Sequence, residues 1–169
     1  MNSVETETIG IEAIGFVEGA KGDLSAGPGY DAVSTIRILP RYEAGLSGVE
    51  GFSHFFVIYH QHEADKWMRQ RHWPEGTLSV PPPDPRAGSG IFTIRAPCRP
   101  GRLGSSVVEL VRREGPLLFV RGLDAVNGTP VLDFKVYIPA FDSFPSARVP
   151  DGWKAGMQAR YSAPDTSKS

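Results

Sequence analysis

Between Gly90 and Pro139 the chain reads GIFTIRAPCRPGRLGSSVVELVRREGPLLFVRGLDAVNGTPVLDFKVYIP, and this stretch narrows the fold more than any other. Its apolar runs are short: Val107 to Val111, Leu117 to Val120 and Val131 to Phe134. Each contains β-branched or aromatic residues, and turn-rich segments holding glycine, proline, arginine, aspartate or asparagine lie between them. That is the pattern of strands joined by turns, with no room for strand-helix alternation of the doubly wound kind. Gly101-Arg102-Leu103-Gly104 lacks the spacing of a dinucleotide fingerprint.

The rest of the chain agrees. His54 to His60 is the most hydrophobic run, short and aromatic, and reads as a central buried strand. Val33 to Leu39 alternates and reads as a half-buried strand ended by Pro40. Ile9 to Val17, β-branched and apolar, reads as the first strand. Tyr42 to Leu46 and Val49 to Phe52 suit a short helical turn leading into a strand. Ser105 to Arg113 is ambiguous between strand and helix; its valines favour strand, with Arg113 to Pro116 as a hairpin-like turn. Thr77 to Gly90, with Pro81, Pro82, Pro83 and Pro85, forbids regular structure and is long enough to be functional or mobile. Met1 to Glu7 reads as loose, Lys21 to Tyr30 as a loop, and Val149 to Tyr161 as an arm or short helix. These readings add up to an all-β (mainly β) fold, a small closed β-barrel or a sandwich with long irregular loops and few short helices.

With 169 residues, 40% of them hydrophobic, the chain can bury one core. Its net charge of -1 argues against an extended nucleic-acid clamp and leaves room for a local basic mouth. The one cysteine, Cys98, excludes an internal disulfide and a Cys-rich zinc site. The chain opens with neither a signal peptide nor a bilayer-spanning run, so a cytoplasmic location is the expectation and a membrane partner is not.

Several polar groups stand out from this scaffold. Arg95, Arg99 and Arg102 share a loop with prolines and glycines, which suits capture of carboxylate or phosphate as well as plain surface ion pairs. In Asp124 to Pro130, Asn127-Gly128 is a hairpin signal, and Asp124 could accept hydrogen bonds from a ligand hydroxyl or amine. Asp133 and Lys135 point to one face of a strand, either inward with a role or outward as a surface pair. His60 and His62 with Glu63 and Asp65 match no established metal spacing, and no metal is expected. His54, between Phe52 and Phe55, reads as a core histidine, and Cys98 beside Arg95 and Arg99 as a thiol whose pKa could be lowered. Lys66 to Trp73 mixes cations with aromatic faces, as a surface loop or as a stacking surface for unpaired bases.

Two long motifs draw these pieces together: Leu46-Ser47-Gly48-Val49-Glu50-Gly51-Phe52-Ser53-His54, and Leu123-Asp124 through Gly128-Thr129-Pro130-Val131-Leu132-Asp133 to Lys135 and Tyr137. With Ile14 to Val17 they make the chain, from about Ile14 to Ser143, resemble the TsaA-like or TrmO family of S-adenosylmethionine-dependent tRNA methyltransferases. The resemblance implies a small β-barrel over residues 1–145 with an arm or tail over 146–169. It implies a homodimer with S-adenosylmethionine near the subunit interface, and methylation at N6 of threonylcarbamoyladenosine beside the tRNA anticodon. Carried over by position, the cofactor contacts would be His62, Glu63, Arg95, Ser105, Asp124, Ala125, Val126 and Asn127. The resemblance assigns no catalytic base; Asp133 is a conceivable one, with Lys135 beside it. The family's Arg-Pro-Asn-Pro-Ile-Gly stands here as Arg99-Pro100-Gly101-Arg102-Leu103-Gly104, its Pro-Arg-Gln element is not visible in Gly19 to Tyr30, and its Lys-Pro-Tyr is Lys135-Val136-Tyr137. A methyltransferase of small molecules and a non-catalytic cofactor-binding module are the alternatives.

Overall fold

The computed structural model describes residues 8–20, 32–84 and 86–150. The expectations for Met1 to Glu7 and Lys21 to Tyr30, and for all of the C-terminal arm beyond Pro150, lie outside the described residues. Two compact units divide the chain, Met1–Tyr137 and Ile138–Ser169.

The first unit is built from β1 (Gly15–Glu18), β2 (Val33–Ile38), β3 (His54–His60), β4 (Leu103–Glu114), β5 (Leu117–Arg121) and β6 (Pro130–Val136). All pairings are antiparallel, and they run in a ring, β1-β2-β5-β4-β3-β6 and back to β1. Among the described residues, one helix, α1 (Ala64–Gln70), and three 3₁₀ segments (Pro40–Leu46, Val49–Gly51, Ile91–Thr93) decorate it.

Alternation decides which side chains fill the ring. Phe55, Val57 and Tyr59 point inward from β3, Ile36 and Ile38 from β2, Val108 from β4, Leu118 and Val120 from β5. Phe55 stacks on Phe134 of β6 with ring centroids 4.1 Å apart, the offset arrangement that aromatic pairs favour. Period two therefore sends His54 outward. It is exposed, with Nδ1 2.9 Å from the Ser53 hydroxyl, and is not the core histidine its neighbours imply.

The β4–β5 connection is the tight hairpin expected at Gly115-Pro116, with Gly115 at φ +57°. Asn127-Gly128 is not a hairpin. β5 and β6 are not neighbours in the ring, so the segment between them passes from β5 across to β6, tied on the way to Ser106 of β4 and to Val17 of β1. The first strand is also shorter than its β-branched run. Ile9 and Ile11 are 77% and 61% exposed, because strand pairing begins only at Gly15. Lys66 to Trp73 is mostly helix rather than loop.

The proline-rich insert is irregular yet pinned. Ser79 and Gly90 bridge, Val80 is buried, and Arg86 grips both carboxylate oxygens of Asp84 at 2.7 and 2.6 Å. Those bonds, more than the partial burial opposing them, hold the Asp84 carboxyl below its ordinary pKa. The clamp is thus intact above the ordinary aspartate pKa and is lost as pH falls through the lowered one. An NMR titration is expected to place the Asp84 midpoint below that of a free aspartate; a midpoint at or above it would contradict the clamp.

The second unit, as far as Pro150, holds a four-residue helix, α2 (Pro139–Asp142), whose Asp142 carboxylate accepts the Ile138 N–H at 2.7 Å.

Candidate functional site

Inside one mouth of the ring the apolar lining gives way to hydroxyls. Tyr59 is 3% exposed and Ser106 is 7% exposed. The Tyr59 hydroxyl donates to the carbonyl of Asp124, and the Asp124 N–H donates to the Ser106 oxygen at 3.0 Å. The two hydroxyl oxygens are 3.3 Å apart, and since the Tyr59 proton is used on Asp124, Ser106 donates to Tyr59. Three hydrogen bonds thus close a circuit that fixes the main chain of Asp124 and leaves its side chain at the surface.

The other end of the same segment is tied to β1. The Gly128 N–H donates to Val17 O at 2.8 Å, and the Gly19 N–H donates to the Asn127 side-chain oxygen at 2.8 Å. Asn127 therefore spends its side-chain acceptor on the scaffold. His62 reaches the same place: its Nε2 lies 3.9 Å from where a Cβ on Gly128 would stand.

Tyr59 can occupy its position because β4 carries glycine opposite it. A Cβ on Gly104 would fall 2.1 Å from the Tyr59 ring. One residue on, the strand turns Ser105 outward, and Arg95 Nη2 donates to its carbonyl at 2.7 Å and its hydroxyl at 3.0 Å. Among the described residues the hydrogen bonds of Arg95 run through Nη2 alone, and no carboxylate of theirs pairs with it.

His62 and Glu63 lead into α1. Gln61 N donates to Arg102 O at 2.8 Å, and the Arg102 guanidinium takes both oxygens of Asp65 at 3.0 and 2.7 Å. Arg102 sits at φ +48°, uncommon for a residue with a side chain. It fastens the start of β4 to the segment carrying His62. Just past the end of α1, Arg71 lies over the ring of the helical Trp67 at 4.6 Å, and Trp73 packs on Trp67 at 5.7 Å.

The structure thus brings Arg95 to Ser105, His62 to the Asn127-Gly128 turn, and Asp124 to the strand that carries Ser105. Ala125 and Val126 are half-buried in that turn, and Glu63 pairs with Lys66 at 3.3 Å. Asp133 and Lys135 form an outward pair at 2.5 Å, with side chains 42% and 60% exposed. Asp133 is in register with Ile58, and Ile58 with Ser105. The carboxylate thus shares the outer face with Ser105 two strands away, roughly 10 Å at ordinary strand spacing. Cys98 is not activated: burial pushes its thiol pKa up, outweighing Arg86 and Arg99. Among the described residues no group of three or more His, Cys, Asp and Glu could hold a metal ion.

Tyr59, Ser106 and Gly104 were not marked by the sequence reading. The inward register of β3 ends on a tyrosine, and a buried phenol needs a partner, which was the signal available.

The class this defines is a mainly-β protein of six ringed antiparallel strands, with a polar turn and an arginine loop at one mouth. Residues 25–143 match the family described as tRNA-methyltransferase O N-terminal domain, and the chain belongs to that family. A probable S-adenosyl-L-methionine-binding protein of Pyrococcus abyssi is 38% identical over 145 residues, covering 86% of this chain and 73% of that protein. A human tRNA (adenine(37)-N6)-methyltransferase is 29% identical over 150 residues, covering 83% of this chain and 33% of the enzyme. The crystal structure of TrmO from Pseudomonas aeruginosa superposes with a TM-score of 0.66 at 28% identity, covering 88% of this chain and 63% of that one. The chain therefore spans about a third of the human enzyme and under two thirds of the Pseudomonas protein.

Proposed function

We propose that this chain binds S-adenosylmethionine at the mouth described above and transfers its methyl group to N6 of a modified adenosine, threonylcarbamoyladenosine, beside the tRNA anticodon. The observation that carries the reading is the convergence of Arg95, the Asp124–Asn127 turn and His62 on one mouth of the ring. The donor set fits the cofactor. A carboxylate suits the Arg95 fork, while ribose hydroxyls or an ammonium suit the exposed Asp124 carboxylate. Ser105, Ala125, Val126 and Glu63 complete the assigned contacts. Asn127 and Ser105 act through the scaffold, one holding β1 and the other holding Arg95. When bound, S-adenosylmethionine supplies an already electrophilic methyl group, so the protein's work is chiefly orientation.

The acceptor nitrogen must lose a proton, and Asp133 is the carboxylate we put forward to take it. Asp133→Asn is expected to leave S-adenosylmethionine binding unchanged, to cost less than about 1 kcal/mol of stability as an exposed pair does, and to slow methyl transfer at least ~100-fold. An unaltered rate would remove Asp133 from the reaction.

The wall of β6, β3 and β4 also supports the reading of a closed β-barrel that dimerises. Leu103 and Val107 are 47% and 44% exposed there, beside half-buried Phe56 and Ile58. A second copy seated on this face would lie next to Arg95 and Ser105, and sedimentation would read the dimer. Among the described residues no helix is long and apolar enough to cross a membrane, and action on tRNA would place the protein in the cytoplasm.

Support for an RNA acceptor over a small molecule comes from α1. It starts at the cofactor mouth and carries Trp67 and Arg69, with Arg71 just past its end, cations interleaved with aromatic faces. Calorimetry with S-adenosylmethionine tests the cofactor. Nucleoside mass spectrometry of unmethylated tRNA incubated with protein and cofactor tests the acceptor. Cofactor binding without N6-methylation of threonylcarbamoyladenosine would turn the reading to another acceptor or to a non-catalytic module.

A further inference from the structure

Phe92 is 71% exposed, yet nothing about its backbone is loose. It sits in the 3₁₀ turn Ile91–Thr93, between Ile91 and Ile94, each 1% exposed. The Ile91 N–H donates to Leu78 O at 2.8 Å, and the Thr93 hydroxyl donates to Gly90 O at 2.7 Å. Anchored on both sides, the turn drives the phenyl ring into solvent instead of leaving it there by default. Arg99 lies over the ring, its guanidinium carbon 5.7 Å from the centroid.

The neighbours say what such a ring suits. Three residues on, Arg95 is fastened to Ser105. On the other side, Arg102 N donates to Arg99 O at 2.9 Å, and Arg102 clamps Asp65 of α1. Phe92 and Arg99 thus stand on a loop tied at one end to the cofactor mouth and at the other to the helix bearing Trp67 and Arg69. A single aromatic among arginines is poorly suited to bury against an apolar protein face. It suits a base, which offers a π-face to the ring and a phosphate to the cations.

We propose that Phe92, with Arg99, is a stacking platform for an unpaired base of the RNA substrate, separate from the base that receives the methyl group. The proposal rests on the tRNA methyltransferase reading above and adds a subsite to it. Base–aromatic stacking is lost without an aromatic ring, so Phe92→Ala and Phe92→Leu are expected to weaken binding of an anticodon stem-loop RNA about 10- to 100-fold. Phe92→Trp should hold it near the parent value, and all three should bind S-adenosylmethionine as the parent does. Because the side chain is exposed, none should fail to fold. If the parent binds and methylates the RNA while Phe92→Ala binds it equally well, the platform is overturned and the methyltransferase reading stands. If Phe92→Leu binds RNA as the parent does, apolar bulk and not stacking is at work, and the platform is overturned. A dimer that dissociates on Phe92→Ala would make the ring a protein contact and overturn it likewise. If the parent binds neither cofactor nor RNA, the underlying reading fails and takes the platform with it.

Discussion

Gly104→Ala is expected to destabilise the protein by about 3 kcal/mol and to abolish measurable cofactor binding. The added methyl would stand 2.1 Å from Tyr59 Cε2 and 2.4 Å from Cζ, inside any tolerable contact. The ring cannot step aside cheaply. It is buried within the sheet ring, and its hydroxyl is bonded to Asp124 and Ser106. Overpacking of this kind costs roughly 1–3 kcal/mol, and each buried bond broken in the relaxation adds about 1. For a unit of this size that lowers Tm by roughly ten degrees. The loss of binding has a separate cause: a displaced Tyr59 releases the Asp124 carbonyl, and with it the position of the turn. Thermal unfolding and calorimetry on the same sample would read both. A variant with parental Tm would show that the ring relaxes freely, contrary to the packing described.

Arg95→Ala is expected to spare the fold and weaken the ligand alone. Its side chain is exposed, and its bonds to Ser105 sit at the surface, where they contribute at most about 1 kcal/mol. A guanidinium–carboxylate contact is worth more, about 1.5–3 kcal/mol. S-adenosylmethionine should therefore bind ~10- to 100-fold more weakly, with Tm within about three degrees of the parent. Arg95→Lys should recover only part, since an ammonium cannot hold the Ser105 carbonyl and a carboxylate in one plane. Equal cofactor affinity in Arg95→Ala would dissociate this arginine from the proposed site.

What could be read from residues alone followed the range of the interactions involved. β3 was legible because Phe55, Val57 and Tyr59 alternate with half-buried neighbours, a local signal of sidedness. β4 was legible once its valines were weighed above its helix-compatible residues. The Asn127-Gly128 turn misled, since turn chemistry is local whereas the pairing partner of β5 is chosen by ring closure. Helix α1 escaped because seven residues, with no side-chain cap at Glu63, leave almost no periodic trace. Ile9 and Ile11 looked like strand by composition, but no partner strand reaches them. At the site, the exposed polar residues of the Arg95 loop and Asp124 turn were visible. Their supports, Tyr59, Ser106 and Gly104, were not, because two look like ordinary strand residues until the register across β3 and β4 is known.

The hydroxyl circuit at the mouth has a chemical consequence. Tyr59 gives its only side-chain proton to a main-chain carbonyl, and Ser106 gives its own to Tyr59 while accepting from a main-chain amide. Neither oxygen can take up a substrate proton without dismantling the bonds that hold the Asp124 turn. The hydroxyl circuit is thus proton-silent, and acid–base traffic accompanying the proposed methyl transfer falls to groups outside it, such as Asp133 on the outer face.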